Sequence, residues 1–432
     1  MKVENEMITF EDQDEFERRG FAERMIRLLN SDIDVSPLVI EGDWGTGKTV
    51  FCKKTIKLIN SIEEKTKAIY LDAFSEDYYE QPLLSLLIAV YQAFPAEEDR
   101  QKLTDTMTKL VKVIGKGGIH VAINKLLGPE CGDVLKTLKE LWADEEQACY
   151  QRVFEERARI GETLDLLKEQ ITELTKNFHL IVFIDELDRC RPTFALQLLE
   201  AVKHLFGIEN LKFVFLINKK QLIYSIQHAY GNDEEVAKRY LDKFFAIKLQ
   251  LPKVVENPQG QTNGDKFITT SVIYFRNLLN DKSLSLSKTP LFDGSVIPSL
   301  LLEELIVKFD LSLRDVEKLI RYLTVYQTLY PQKSLCDGYK MIVVFLVFSF
   351  ARGATWIKDF EESPNYSVLN EDLKPKYVEK HTLSFLEQLS SVLYAENDEH
   401  IRHLFNYITP DLKYDRRPFF REKLKELQTF SA

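Results

Sequence analysis

The sequence predicts an α/β protein in which a parallel β-sheet with a large helical insertion precedes a mainly α-helical C-terminal domain. Three observations predict it: five short apolar runs bounded by turn or polar residues, helical stretches between those runs, and helical periodicity after the last one. Such runs, separated by helices, are typical of parallel strands that are buried on both faces. Hydrophobic residues make up 45% of the 432 residues, which excludes a fibrous or disordered chain.

The elements follow in order along the chain. Apolar residues at helical spacing predict a first amphipathic helix over residues 7–30. The five runs that we expect to be strands lie at residues 37–40, 68–71, 180–184, 213–217 and 245–251. The insertion, about residues 83–175, shows no strand pattern, and we expect it to be helical throughout. Because the turn-rich segment 252–266 predicts a linker, we expect a sheet domain over residues 1–255 and a helical domain over residues 256–432.

Charge and hydropathy limit the partners. With 57 basic and 67 acidic residues, the net charge of −10 argues against affinity for nucleic acid through bulk electrostatics and leaves only a local basic patch. The longest apolar run, residues 341–350, is too short to span a membrane and predicts a buried core helix. Residues 107–127 fit a solvated hairpin better than a peripheral membrane contact. Scattered cysteines and an N-terminus without a signal-peptide pattern predict a cytoplasmic protein.

A phosphate-binding loop follows the first predicted strand. Its sequence matches G-x-x-x-x-G-K-[ST] and leads into a predicted helix; the candidate binding residues are Gly42, Asp43, Trp44, Gly45, Thr46, Gly47, Lys48, Thr49 and Val50. Glycines let backbone N–H groups turn towards phosphate oxygens, and the start of the helix adds its positive dipole. We expect Lys48 to neutralise the β- and γ-phosphates and Thr49 to offer its hydroxyl to Mg²⁺. The loop therefore predicts binding of a nucleoside triphosphate with Mg²⁺.

Two carboxylates end the third predicted strand. Asp185 and Glu186 follow the apolar run 180–184 directly. In a protein with a phosphate loop, the first carboxylate would hold Mg²⁺ and the second would act as general base on the attacking water. An acidic residue that only ends a strand and caps the next helix is the alternative, and the phosphate loop makes it less favoured. Glu186 therefore favours hydrolysis over passive binding.

Arg189 lies three residues after the second carboxylate and has two interpretations. It would reach the γ-phosphate bound in a neighbouring subunit as an arginine finger, or it would pair with a carboxylate of its own chain, Asp188 or Asp185. The sequence does not place the guanidinium in space, so both interpretations stay open. We include Arg189 among the candidate catalytic residues.

Two further polar residues are candidates. Asn218 follows the fourth predicted strand, where a side chain would orient the attacking water or simply form a turn. Arg314 lies near the start of a helix that Ser312 is expected to cap. It would reach the nucleotide from a helical lid, or it would pair with Asp315 or Glu317.

These residues together resemble a known family, the KAP P-loop NTPases, which belong to the additional-strand, catalytic-glutamate division of P-loop proteins. Residues 183–192, F-I-D-E-L-D-R-C-R-P, are similar almost letter for letter to that family's signature after the acidic strand. Residues 70–74, Y-L-D-A-F, the step E-Q-P at 80–82 and the passage 239–252 are also similar. The resemblance covers roughly residues 8–330. Many members carry membrane-spanning helices in the insertion, and this insertion has no run long enough to span.

The resemblance implies an ATPase that acts as a molecular switch or assembly motor, and an association of several bacterial members with anti-phage defence. Gln221 stands where a guanine-binding motif would have a carboxylate that bonds guanine, so ATP is favoured over GTP. A nucleotide-gated scaffold, which oligomerises or recruits an effector with little hydrolysis, is the alternative. Because no catalytic residues follow residue 251 apart from the candidate Arg314, we expect a homo-oligomer and a separate effector protein.

Overall fold

The structure of the chain, a computed structural model, consists of two compact units. The described residues are 9–31, 33–63, 65–79, 81–94, 98–101, 103–104, 106–107, 151–176, 178–205, 207–230, 233–256, 267–281, 286, 289–331, 337–353, 422–423 and 426–427. The first unit contains Met1–Asp43 and Gly47–Leu251, and the second contains Trp44–Thr46 and Pro252–Ala432. The domain boundary expected at residue 255 stays a prediction. The middle of the predicted insertion, with nearly all of residues 107–127, lies outside the described residues.

A five-stranded parallel sheet forms the centre of the first unit. Its strands are β1 (Leu38–Glu41), β2 (Thr66–Asp72), β3 (His179–Asp185), β4 (Leu211–Ile217) and β5 (Ile247–Gln250). They lie in the order β2-β3-β4-β1-β5, so β4 separates the strand before the phosphate loop from the strand that ends in carboxylates. The predicted α/β fold with a parallel sheet is confirmed, and each predicted strand is present with its ends shifted by a few residues.

Alternate residues of the central strands pack into two different hydrophobic clusters. On β3, Val182 and Ile184 belong to one cluster, while Ile181 and Phe183 belong to the other. Both clusters bury their members almost completely, because helices cover both faces of the sheet. The carboxyl ends of parallel strands meet at one edge, and there Asp72 pairs in register with Asp185. This edge is where α/β sheets bind ligands.

Helices connect the strands of the first unit. They are α1 (Arg19–Leu29), α2 (Lys48–Ile62), α3 (Ala73–Glu76), α4 (Pro82–Ala93), α5 (Gln151–Leu174), α6 (Pro192–His204), α7 (Lys219–Tyr230) and α8 (Glu234–Leu241). Proline begins α4 and α6, at the position where its missing N–H costs no hydrogen bond. The short 3₁₀ turns Asp77–Tyr79 and Leu187–Arg189 lie between these elements at the carboxyl edge of the sheet.

The expected first helix is shorter than predicted. Residues 9–18 form turns and coil, and the helix begins only at Arg19. The Asp14 carboxylate explains the start, because it accepts hydrogen bonds from the backbone N–H groups of Arg18 at 2.8 Å and of Arg19 at 3.0 Å. The helix therefore begins well after residue 7, where it was predicted to start, and ends one residue before the predicted end at residue 30.

The second unit contains helices α9 (Thr270–Asn280), α10 (Ile297–Lys308), α11 (Leu313–Leu329) and α12 (Asp337–Ala351) around one hydrophobic cluster. The expected linker is partly wrong: β6 (Val254–Glu256) pairs antiparallel with β7 (Phe267–Thr269), as β-branched Val254 and Val255 favour. Helix α12 is deeply buried, as predicted for residues 341–350. No helix within the described ranges is both long and apolar enough to cross a membrane.

Candidate active site at the carboxyl edge of the sheet

The phosphate-loop segment, residues 42–49, joins β1 to α2. The Gly42 amide donates to the Ile217 carbonyl of β4 at 3.1 Å, which fixes the start of the loop. Gly45 and Gly47 have φ of 76° and 84°, left-handed values that residues with a side chain rarely adopt. The two glycines therefore let the chain turn tightly into α2, and the N-terminus of this helix favours an anion.

Lys48 is buried at the start of α2. Its ammonium donates to the Gly42 carbonyl at 2.8 Å and to the Asp43 carbonyl at 3.1 Å. Burial lowers the pKa of Lys48, and the nearby carboxylates of Asp188 and Asp185 oppose that shift. An ammonium has three N–H donors, so two of them hold the loop in shape while the group stays beside the acidic end of β3.

The middle of the loop, Trp44–Thr46, belongs to the second unit. Within that unit, the Leu313 amide donates to the Gly45 carbonyl at 3.0 Å. A Cβ on Gly45 would lie 2.7 Å from Ser312 Oγ and 2.8 Å from the Cβ of Arg314, so a side chain does not fit at this position. The Trp44 side chain is exposed and Thr46 is buried; Val50, on the first turn of α2 in the first unit, is exposed.

Arg314 is exposed near the start of α11. The sequence offered Asp315 and Glu317 as ion-pair partners of Arg314, but in the structure both carboxylates bond other groups. Asp315 closes a capping box with Ser312, whose amide donates to Asp315 Oδ2 at 3.1 Å, and Glu317 accepts a hydrogen bond from the Tyr274 hydroxyl. Among the residues that the structure describes, Arg314 forms no ion pair, and its role as a lid residue stays a prediction.

Asp185 is the last residue of β3 and is only 1% exposed. Its Oδ2 accepts hydrogen bonds from Thr49 Oγ1 at 2.6 Å and from the Tyr70 hydroxyl at 3.3 Å, and its Oδ1 accepts from the Glu186 amide at 2.9 Å. Burial raises the pKa of Asp185, whereas these hydrogen bonds and the charge of Lys48 lower it. Three donors, from α2, from β2 and from the residue after β3, therefore fix the orientation of this carboxylate.

Glu186 has a left-handed backbone, with φ of 60° and ψ of 20°, which turns the chain sharply at the end of β3. Its Oε2 forms an ion pair with Arg189 Nε, and its Oε1 lies 3.5 Å from Thr49 Oγ1. Burial, followed by the charge of Asp185, raises the pKa of Glu186, and Arg189 opposes the shift. Arg189 thus pairs with a carboxylate of its own chain, but with neither Asp188 nor Asp185.

Asn218, which follows β4, is buried. Its backbone N–H donates to Asp188 Oδ1 at 3.1 Å, and its side-chain Oδ1 accepts from the backbone N–H of Gln221 at 3.4 Å at the start of α7. The side-chain oxygen therefore acts as a local cap, which is the turn-forming alternative for this residue. Orientation of a water by Asn218 stays a prediction.

Sequence reasoning missed two contacts at this edge. The Tyr70 hydroxyl reaches Asp185 from β2, and burial together with Asp185 raises the pKa of Tyr70, so the hydroxyl stays protonated and donates. The Asp77 carboxylate accepts from Arg191 N at 2.9 Å and from Arg191 Nε at 3.0 Å. Tyr70 lies in the 70–74 segment that the family resemblance singled out, whereas Asp77 lies between that segment and the step at 80–82, so the resemblance pointed to Tyr70 alone.

The oxygen atoms at this edge fit Mg²⁺. Hard divalent cations bind hydroxyl and carboxylate oxygens, and Thr49 and Asp185 supply one of each. The Thr49 hydroxyl donates its proton to Asp185, which leaves the lone pairs of Oγ1 to face a cation. Lys48 adds a positive charge and Glu186 a second carboxylate within reach of Thr49. The arrangement has the groups needed to bind a phosphate chain with a metal and to activate a water beside it.

A family model described as the KAP family P-loop domain matches residues 18–330. A search of curated proteins finds no match. The matched range contains the phosphate loop, the complete parallel sheet and Arg314, so the family assignment covers every candidate site residue.

Three solved structures align with the chain at low similarity. The Aeropyrum pernix ORC2 protein, solved as ADPNP–ADP complexes, is 13% identical, with 95% of this chain and 86% of that chain covered and a TM-score of 0.37. The Aeropyrum pernix ORC1 protein in complex with DNA is 14% identical, with 95% and 82% covered and a TM-score of 0.34. C. elegans PCH-2 is 12% identical, with 78% and 69% covered and a TM-score of 0.33.

Proposed function

The chain belongs to the KAP family of P-loop proteins, and from this premise we propose that it binds ATP with Mg²⁺ and hydrolyses it. One observation carries the proposal: the 2.6 Å hydrogen bond from Thr49 to Asp185, with Glu186 beside it. This bond joins the phosphate loop to the acidic end of β3. The two predicted nucleotide motifs, 136 residues apart in sequence, thereby meet at one edge of the sheet.

The phosphate loop would hold the nucleotide. Residues 42–50 supply backbone amides and the start of α2, and Lys48 supplies the positive charge that an ATP phosphate chain requires. Lys48 now bonds two loop carbonyls, so binding would exchange one or both of these contacts for phosphate oxygens. Because the ammonium is buried, its attraction to phosphate is weakened less by solvent than that of a surface lysine.

Thr49 and Asp185 would hold the metal. A metal held by these two residues would supply positive charge that stabilises the charge developing on the phosphates during hydrolysis. The chain itself contributes orientation, because the Thr49 hydroxyl donates a hydrogen bond to Asp185 and its oxygen lone pairs therefore point away from that carboxylate. Two hydrogen bonds to Oδ2 and one to Oδ1 keep the carboxylate in a single rotamer.

Glu186 would act as the general base. Its carboxylate is partly buried beside Asp185, and the resulting higher pKa suits a group that takes a proton from water. In this proposal Arg189 orients Glu186 through their ion pair, while Asn218 and Arg314 remain candidates for contacts to the attacking water and to the γ-phosphate. An arginine finger acting in a neighbouring subunit would require Arg189 to leave Glu186.

Hydrolysis would serve a switch or an assembly motor in the cytoplasm. The buried cluster of the second unit contains apolar side chains of α9, α10, α11 and α12 and supplies structure rather than chemistry. We therefore assign the output to a homo-oligomer and a separate effector protein. A setting in anti-phage defence rests on the family resemblance only.

Steady-state ATP hydrolysis by the purified full chain tests the proposal. We expect turnover in the wild type and its loss in both Lys48→Ala and Glu186→Gln, with ATP binding lost in the first and kept in the second. Loss of a general base lowers a rate by about 10² to 10⁴. Equal turnover in the wild type and in Glu186→Gln would contradict the assigned role of Glu186.

The Glu186–Arg189 ion pair favours a second candidate, a nucleotide-gated scaffold with slow hydrolysis, because a paired carboxylate is less available as a base. In that case ATP occupancy rather than turnover would set the oligomer or recruit the effector. Oligomer mass measured with and without ATP, in the wild type and in Glu186→Gln, separates the candidates. A scaffold would assemble equally in both chains; a motor would not.

A further inference from the structure

Tyr70 lies on β2, directly beside Phe183 of β3, and its hydroxyl donates to Asp185 Oδ2 at 3.3 Å. We propose that Tyr70 is a positioning residue that sets the affinity for Mg²⁺ by holding Asp185. The inference rests on the proposed function and adds a residue from a strand that carries no nucleotide motif. Tyr70 would touch neither metal nor nucleotide and would act only through the carboxylate.

The geometry around Asp185 carries the inference. Asp185 is 1% exposed, so protein donors rather than bulk solvent set the orientation of its carboxylate. Thr49 and Tyr70 donate to the same oxygen from two different elements, α2 and β2. Partners that orient a metal ligand in this way determine how well the ligand meets the metal. Without Tyr70, Thr49, itself a candidate ligand, would be the one donor to this oxygen among the residues that the structure describes.

The ring of Tyr70 has a separate structural role. It packs at the edge of a hydrophobic cluster, and the Lys53 ammonium lies 5.4 Å from its centroid. Phenylalanine keeps both the packing and the attraction of the ring to Lys53. Tyr70→Phe therefore removes the bond to Asp185 alone, which separates positioning from packing.

A matched control is available in the same unit. The Tyr240 hydroxyl donates to Glu200 Oε1 at 3.2 Å, a bond between the same groups at nearly the same length. Glu200 has no part in the proposed site. Tyr240→Phe therefore makes the same chemical change and should leave Mg²⁺ dependence as in the wild type.

The experiment measures binding of a fluorescent ATP analogue to the full chain at equilibrium, first in EDTA and then with increasing MgCl₂. In Tyr70→Phe we expect affinity in EDTA to equal that of the wild type. The Mg²⁺ concentration for half-maximal tightening should rise about tenfold, at the lower end of what loss of such a partner costs. Tyr240→Phe should match the wild type in both measurements.

Two results would overturn the inference while the proposed function stands. One is an unchanged Mg²⁺ requirement in Tyr70→Phe. The other is an equal loss of affinity with and without Mg²⁺, which would make Tyr70 a purely structural residue. If the wild type itself binds no nucleotide under either condition, the proposed function fails and the inference fails with it. Melting temperatures without ligand verify that each variant is folded.

Discussion

Two groups of side chains at the end of β3 are neighbours and are held very differently. The metal-side cluster, Thr49, Tyr70 and Asp185, shares a carboxylate that is 1% exposed and accepts three hydrogen bonds. The base-side pair, Glu186 and Arg189, is held by their ion pair and by a long contact of 3.5 Å between Glu186 Oε1 and Thr49 Oγ1, and the side chains of Glu186 and Arg189 are 22% and 35% exposed. The carboxylates of Asp185 and Glu186 are thus adjacent in sequence but differ in how many parts of the structure hold their orientation.

The difference fits two chemical tasks. A metal ligand works best when it is oriented before the metal arrives, because an orientation that is already fixed costs no free energy on binding. A general base must exchange partners, since it has to meet a water and later release a proton. The left-handed backbone of Glu186 turns the chain away from the strand immediately after Asp185, so one side chain can be fixed while the next is adjustable.

The largest effects are expected when each of the two adjacent carboxylates, Asp185 and Glu186, is replaced by its amide. In Glu186→Gln, hydrolysis should fall about 10² to 10⁴-fold, while the Mg²⁺ requirement for nucleotide binding stays at the wild-type value. In Asp185→Asn, the amide nitrogen meets either the donors of Thr49 and Tyr70 or the donor of Glu186, so the Mg²⁺ requirement should rise about 10 to 100-fold. Steady-state turnover and Mg²⁺ titration of nucleotide binding, measured in both variants, test these two expectations.

The Lys48→Ala chain, which should bind nucleotide weakly with or without Mg²⁺, serves as the control for loss of binding itself. If Glu186→Gln raised the Mg²⁺ requirement as much as Asp185→Asn, the two carboxylates would share one role, and the distinction between metal side and base side would be wrong.

A smaller effect is expected from Arg189→Ala. Without its ion pair, Glu186 loses its one charged partner, and misplacement of a base by about 1 Å lowers turnover by up to about 100-fold. The Mg²⁺ requirement for binding should not change, because Arg189 makes no contact with the metal-side cluster. Arg189→Lys, which keeps the charge, should recover part of the rate.

Mixing chains tests whether Arg189 acts in its own subunit. Lys48→Ala chains have a disabled site and an intact Arg189, so adding them to Arg189→Ala chains would restore turnover if the arginine acted across subunits. We expect no recovery. Recovery would show that the finger interpretation applies and that the ion pair with Glu186 breaks in the assembled state.

The sequence predicted the elements of this site better than their contacts. The strands were found because each is a short apolar run ended by polar residues, and the phosphate loop was found by its glycines and lysine. Periodicity carries no information on strand order, so the position of β4 between β1 and β3 came from the structure. Tyr70 was missed because its contact with Asp185 depends on the register of β2 with β3.

The pairing of Arg189 illustrates the same limit. Spacing alone offered Asp188 and Asp185 as partners, but the left-handed turn at Glu186 and the 3₁₀ turn after it bring Arg189 to Glu186 instead. Asp188 meanwhile accepts a hydrogen bond from the backbone N–H of Asn218. Backbone conformations at single residues decide such choices, and a left-handed glutamate is uncommon enough that sequence pattern does not predict it.

The smallest effect is expected at Asp77, which supports the base-side pair only indirectly, through Arg191. Asp77 accepts two hydrogen bonds from Arg191, which follows the 3₁₀ turn of Arg189 and precedes α6. Asp77→Asn replaces one acceptor with a donor and should lower the free energy of unfolding by about 1 kcal/mol, or the melting temperature by about 2–4 °C. Glu76→Gln makes the same charge change one residue away and should have no effect on stability. Turnover in Asp77→Asn should fall a few-fold, because the weakened contact with Arg191 shifts Glu186 but not Asp185. The Mg²⁺ requirement for nucleotide binding should stay at the wild-type value. A changed Mg²⁺ requirement would mean that the metal-side cluster and the base-side pair are not independent.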